Sequence, residues 1–266
     1  MPARYPARIV CLTEETTETL YLLGEERRIV GISGYTVRPP RARREKPRVS
    51  AFLSAKTDKI LELKPDLVLG FSDLQADISK DLVKAGLNVV IFNQRSVGEI
   101  LNMILVLSSL VGQSSKGTEL VRRLEDNISE IEKASKAFKR RPRVYFEEWD
   151  EPMISGIRWV SELVEIAGGE DVCKQRSFSQ DARGRTIADP NEVIGRDPEI
   201  ILGSWCGKKF RPERVAARPG WDKVSAVRDG ELHEIKSAEI LQPGPAALTD
   251  GVRRIHEILA AWARAG

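Results

Sequence analysis

The feature that most constrains this chain is a unit that occurs twice. Asp58-Lys-Ile-Leu-Glu-Leu-Lys-Pro65-Asp-Leu-Val-Leu-Gly70 reappears as Asn191-Glu-Val-Ile-Gly-Arg-Asp-Pro198-Glu-Ile-Ile-Leu-Gly203, and the two prolines stand 133 residues apart in a chain of 266. Each copy joins a short helical pattern to a proline that a helix does not run through. An apolar run follows, of the kind a parallel strand buried on both faces needs. A spacing of half the chain reads as duplication, and so as two lobes built alike.

The rest of the pattern fits that reading. Short β-branched runs alternate with longer stretches of helical period, which builds βα units and a mostly parallel sheet. Strands are expected at Arg8–Leu12, Ile29–Ile32, Leu67–Gly70 and Val89–Phe92, with helices near Glu15–Leu23, Thr57–Leu63, Gln75–Ala85 and Ser96–Val111. Ser114–Arg140 places Leu120, Leu124, Ile128 and Ile131 on one face among charges. It reads as one amphipathic helix of about 25 residues, about 37 Å long. Beyond Pro142 the alternation resumes, with strands near Val144–Phe146, Glu199–Gly203 and Glu231–Ile235, and helices near Val160–Ala167, Pro190–Arg196 and Ala246–Ala265. The expected fold is α/β, two Rossmann-like βα lobes joined by one long linking helix. The first lobe is residues 1–112, the linker 113–141 and the second lobe 142–266.

Composition removes several function classes. With 42 Lys+Arg against 39 Asp+Glu, the formal charge of +3 is too small to argue for nucleic acid or an anionic membrane as partner. The basic, proline-containing run Arg38–Arg48 reads as a solvated loop. No stretch is apolar for the roughly 18 to 20 residues a membrane span needs. Cys11, Cys173 and Cys206 have neither disulfide nor zinc spacing and fit a reducing compartment. There is no GxxxxGK[ST] and no GxGxxG after a strand, and only His233 and His256 are available to a histidine metal site. The expectation is that the chain is not an enzyme and has no intrinsic cofactor or metal.

Five segments in order, RIVCLTEETTETLYLLGEERRIVGISGYTVRPP, KILELKPDLVLG, ISGIRWVSELVEIAGGEDV, VIGRDPEIILGSWCG and RPGWDKVSAVRDGELHEI, make the chain resemble the substrate-binding proteins of ABC importers whose lobes are joined by a rigid helix. These are the cobalamin, ferric-siderophore and haem binders, with the helical-backbone periplasmic-binding-protein fold. The cobalamin branch looks most similar, because Tyr35 and Phe52 fall where its ligand-facing aromatics lie. The resemblance implies a corrinoid or ferric chelate held in a cleft between the lobes, walled by the loops that follow the strands. It also implies modest closure about a stiff helix.

The aromatic residues suit that placement: Tyr35, Phe52, Trp149 and Trp205 all stand at expected strand exits. Ligands of open α/β sheets bind at those ends, and flat rings bury a flat macrocycle at low entropy cost. Trp159 and Met153 join them as ligand candidates. Arg158 and Arg185 are candidates for a ligand carboxylate or phosphate, since a guanidinium grips such groups at two points. A siderophore would favour a basic site including Arg158, Arg185 and Lys208, whereas a corrinoid would favour aromatic walls with few charges. Trp221 and Trp262 read as structural.

Importer-docking members of the family present a glutamate on each lobe to permease arginines. Here the matching positions hold Asp58 and Asn191, with Glu192 or Asp189 as substitutes in the second lobe. MPARYPARIVCL has no signal-peptide pattern. As written the expectation is cytoplasmic, and periplasmic or cell-surface if a leader was lost. The expected partners are a small-molecule ligand and an ABC permease, the chain itself being a monomer.

Overall fold

The computed structural model describes residues 5–51 and 54–265. Two compact units emerge. The first holds the chain as far as Gln94 together with Gly98–Arg123, and the second holds Arg95–Val97 and everything from Leu124 onward.

The first lobe is a sheet of β1 (Ile9–Cys11), β2 (Ile29–Ser33), β3 (Arg48–Ser50), β4 (Leu67–Phe71) and β5 (Val89–Phe92), ordered β3-β2-β1-β4-β5. Every pairing is parallel. The inner strands β1 and β4 are buried along their whole length, which is why they read as unbroken apolar runs. Val10, Leu12, Val49, Ile60, Val68 and Leu82 form a core beneath the sheet. The basic run expected as a loop contains a short helix, Ala42–Glu45, and enters β3 at Arg48. One buried side chain, Val49, holds this edge strand, and a single apolar residue among charges leaves no period to read.

The second lobe is mixed. Its strands are β6 (Arg143–Asp150), β7 (Met153–Ser155), β8 (Glu170–Asp171), β9 (Thr186–Ile187), β10 (Ile200–Gly203) and β11 (Leu232–Glu234). They run β11-β10-β6-β7-β9, with β8 also on β6. β11, β10, β6 and β8 pair in parallel, while β7 is antiparallel to both β6 and β9. Strands of two or three residues are too short to show alternation, and β7, β8 and β9 were not foreseen.

Two helices also depart from expectation. The linking helix runs Ser114–Ser135 and contributes to both units. It stops short of Arg140 in a turn at residues 136–137, and just beyond it the Phe138 ring stacks on His256 with centroids 5.5 Å apart. The last helix, Val252–Ala265, is preceded by a π-helical turn at Ala247–Gly251. There a Cβ on Gly251 would lie 2.4 Å from the Glu239 carbonyl oxygen, so the wider turn packs where only glycine fits.

The sequence repeat is a repeat of bonding. Its helices are Thr57–Glu62 and Asn191–Arg196, and its strands are β4 and β10. Between them Lys64 (φ 46°) and Asp197 (φ 43°), again 133 apart, take the left-handed conformation that closes the helix before the proline. Arg8 Nε donates to the Lys64 carbonyl (3.1 Å), as Arg143 Nε donates to that of Asp197 (2.9 Å). The Asp66 carboxylate accepts from the Arg8 amide (2.9 Å), as Glu199 accepts from the Arg143 amide (3.0 Å). Each copy is thus tied to the first strand of its own lobe.

Candidate functional site

In the second lobe, β6 and β10 deliver their side chains to one end of the sheet. The Glu147 carboxylate is fully buried and accepts four hydrogen bonds. They come from the Tyr145 hydroxyl (3.1 Å), the Trp205 indole (3.0 Å) and both terminal nitrogens of Arg218 (2.6 and 2.9 Å). A buried carboxylate is tolerable only when so well paired. Glu148 points the other way and takes two bonds from Arg185 (2.5 and 3.2 Å), which also donates to the Ser155 carbonyl (2.7 Å). The acidic run on β6 therefore does not form one cluster.

Trp149 is half-buried, packs on the lobe's core and donates its indole N–H to the Glu151 carbonyl (2.8 Å). Lys208 from the loop after β10 lies over its ring, 4.1 Å from the centroid, and 5.0 Å from that of Trp205. The same ammonium bonds Asp150, and Arg214 reaches the other oxygen of that carboxylate at 3.3 Å. Beside this group opens a cavity of about 650 Å³ within the second lobe, whose lining includes Asp150, Met153, Ile187, Asn191, Arg218 and Trp221.

The first lobe's strand exits are built from acids. Glu14, Glu15 and Glu18 are buried in the first turns of the helix Glu14–Leu22, directly after β1. Glu14 accepts from the Val37 amide (3.1 Å), beyond β2, and Glu15 from the Thr13 hydroxyl (2.5 Å). Glu18 is paired with Arg38 (2.9 Å). Burial, with the charge of Glu18 nearby, pushes Glu14 up to about 8 and Glu15 up to about 7, and Glu14 Oε1 and Glu15 Oε2 have no hydrogen-bond partner. Tyr35, past the end of β2, is 60% exposed. Phe52 lies outside the described residues.

Of the other expected ligand residues, Trp205 and Trp159 are buried, at 2% and 3% exposure. Trp205 meets Phe210 edge-on at 5.1 Å, and Trp159 donates to the Ile240 carbonyl (2.9 Å). Both rings belong to the core, so neither presents a free face. Arg158 is held by Glu162 (2.9 Å), and Arg185 is buried on Glu148. Met153 is buried on the wall of the second-lobe cavity. His233 bonds Glu231 (2.7 Å) and His256 bonds the Ala167 carbonyl (3.1 Å), so the two histidines are separately engaged. Among the described residues no cluster of His, Cys, Asp or Glu is arranged to hold a metal ion.

A model of the family described as periplasmic binding protein matches residues 9–239. The chain belongs to this family. Periplasmic binding proteins carry solutes and are not enzymes. Similarity to individual relatives is lower but covers nearly the whole length. The chain is 23% identical over 258 residues to an uncharacterized ABC transporter substrate-binding lipoprotein of Bacillus subtilis, covering 95% of this chain and 79% of the relative. It is 25% identical over 247 residues to the vitamin B12-binding protein of Vibrio parahaemolyticus, covering 91% and 85%. A crystal structure of a possible iron-binding (periplasmic solute-binding) protein from Staphylococcus epidermidis superposes with a TM-score of 0.82 at 21% identity, covering 96% and 99%.

The residues expected to dock a permease are placed as follows. Asp58 is exposed in the first turn of its helix. Asn191 is exposed and donates to Asp189 (2.9 Å). Glu192 is occupied by Arg176 (2.6 Å) and Arg196 (3.1 Å), which hold its carboxyl below the usual range. Exposed Asp189 is the freer acid at that end of the second lobe. No helix among the described residues is long and apolar enough to cross a membrane.

Sequence reasoning overlooked Glu14 and Glu15, and it considered Lys208 only as a siderophore indicator. The signal for the first pair was present in TEETTE directly after a buried strand, a place where ordinary first-turn acids are solvated. Nothing local distinguished Lys208 from its neighbour Lys209.

Proposed function

We propose that this chain is the substrate-binding component of an ABC-type uptake system and that its ligand is a corrinoid. As a periplasmic binding protein it serves the class of systems that import vitamin B12, haem or ferric chelates. The corrinoid reading is carried by its similarity to a vitamin B12-binding protein over 91% of the chain. Aromatic residues at the strand exits add support, with exposed Tyr35 in one lobe and half-buried Trp149 in the other. A flat ring covers macrocycle surface with little rotamer entropy to lose. The similarity to a substrate-binding lipoprotein supports work outside the cytoplasm beside a permease, with Asp58 and Asp189 as the acids offered to it.

Tryptophan fluorescence titration with cyanocobalamin, a ferric catecholate and haemin tests the reading. Cyanocobalamin is expected to quench at micromolar concentration or below, and Trp149→Ala to weaken it about ten-fold, near 1.4 kcal/mol. Quenching by none of the three at micromolar levels rejects the ligand class. A response to haemin or the ferric catecholate alone replaces the corrinoid.

A further inference from the structure

At the β6 and β10 exits the ion pairs are not all one to one. Glu147 is matched by Arg218 and Glu148 by Arg185, but Asp150 alone is shared by two cations, Lys208 and Arg214. The Asp150 carboxylate is only 3% exposed, whereas the side chains of Lys208 and Arg214 are 36% and 54% exposed. Within that trio one positive charge is in excess, on the solvent side of a buried anchor, with exposed Glu151 the next acid along the chain. The two cations also lie against rings, Lys208 over Trp149 and Trp205, and Arg214 at 5.7 Å from the Trp205 centroid. Neighbouring Lys209 is exposed as well and raises the local potential, while Arg211 is paired with Glu213 (3.5 Å).

We propose that Lys208 and Arg214 receive an anionic group of the ligand while Trp149 packs beside it. Asp150 positions the pair. A carboxylate between two cations restrains both chains before the ligand arrives, so less entropy is lost on binding. A phosphodiester or carboxylate then completes the charge balance that Asp150 leaves open. This rests on the reading of the chain as a binding protein for a corrinoid or chelate. It makes the β10 loop the determinant of selectivity between charged and uncharged members of that class. The anion has two sources among such ligands, the phosphodiester of a complete corrinoid or the charge of a ferric chelate.

The experiment compares three probes on the intact chain by tryptophan fluorescence: cyanocobalamin, cobinamide (a corrinoid without the phosphodiester) and a ferric catecholate. Wild type is expected to bind the phosphodiester-bearing corrinoid about ten-fold more tightly than cobinamide, or else the ferric catecholate more tightly than either. Lys208→Gln combined with Arg214→Gln should erase that preference while leaving cobinamide affinity within about two-fold. Lys208→Arg should retain it. Added salt should weaken binding of the phosphodiester-bearing corrinoid and of the ferric catecholate more than that of cobinamide. Circular dichroism of the double variant checks that the lobe is folded, and Lys208→Gln alone is read if it is not. An unchanged preference in the folded variant, or wild-type indifference to charge among probes that bind, overturns the proposal and leaves the corrinoid-or-chelate reading standing. Binding of none of the three removes that reading, and the proposal with it.

Discussion

The two lobes share a frame and differ where that frame ends. Both close a helix on a left-handed residue, Lys64 or Asp197, and tie a proline-led strand to the lobe's first strand through an arginine and a carboxylate. At the strand exits the second lobe satisfies its buried Glu147 with four donors, while the first lobe leaves an oxygen on Glu14 and on Glu15 unpartnered. The difference teaches that a duplicated scaffold constrains backbone closure and leaves exit chemistry free to diverge. In one lobe buried acid organises neighbouring cations and rings. In the other it is kept close to neutral.

The strongest test of that contrast removes the acid that is paired. Glu147→Ala would leave the Arg218 charge, the Trp205 N–H and the Tyr145 hydroxyl without their shared acceptor, and an expected loss of about 3 to 5 kcal/mol should appear in the unfolding of the second lobe. Calorimetry with urea melts checks it. A loss below about 1 kcal/mol would mean that the network is not what holds this end together.

Acids that keep an unpartnered oxygen should respond in the opposite sense. Their folded values, about 8 for Glu14 and about 7 for Glu15, lie above the ordinary 4.5. Between these limits the folded lobe keeps protons that the unfolded chain has lost. Stability is therefore full below about pH 4.5 and declines as pH rises towards 8. At about 1.4 kcal/mol per pKa unit the two shifts set an upper limit of about 8 kcal/mol for the pair. Glu14→Gln with Glu15→Gln should flatten the profile and stabilise the first lobe at pH 8. Urea midpoints from pH 5 to pH 8 measure both, and a profile of equal slope in the double variant would break the comparison.

The smallest effect tests the shared frame. Lys64→Gly should gain roughly 0.5 to 1 kcal/mol by relieving a left-handed side-chain residue. Asp197→Gly relieves the same strain but loses bonds from the Ser225 amide (2.8 Å) and hydroxyl (3.0 Å), so it should lose about 1 kcal/mol. Thermal melts with the same sign for both variants would show that the two turns are not stabilised differently.

Much of this frame was legible in advance. Buried inner strands such as β4 and β10 are continuous apolar runs, and proline marks where each begins, so the duplication and the α/β class follow from residue order. The fold of the second lobe was less legible, because β7 and β9 are too short to show a period and yet they turn part of its sheet antiparallel. At the exits, Tyr35 and Trp205 follow their strands while Trp149 lies within β6, and Trp205 and Trp159 are as buried as any core residue, so residue type alone does not separate a ring that faces ligand from one that packs.

What residue order determined by itself was local: helix and strand periods, the proline stops and the spacing that makes two lobes. What only the tertiary structure decided was partnership. Arg218 finds Glu147 across 71 residues and Lys208 finds Asp150 across 58, whereas Glu14 meets the Val37 amide across 23 and keeps one oxygen unpartnered. Periodicity records which side of an element is covered. The energy of a charge depends on what covers it, and that is set by chain segments brought together only in the folded lobe.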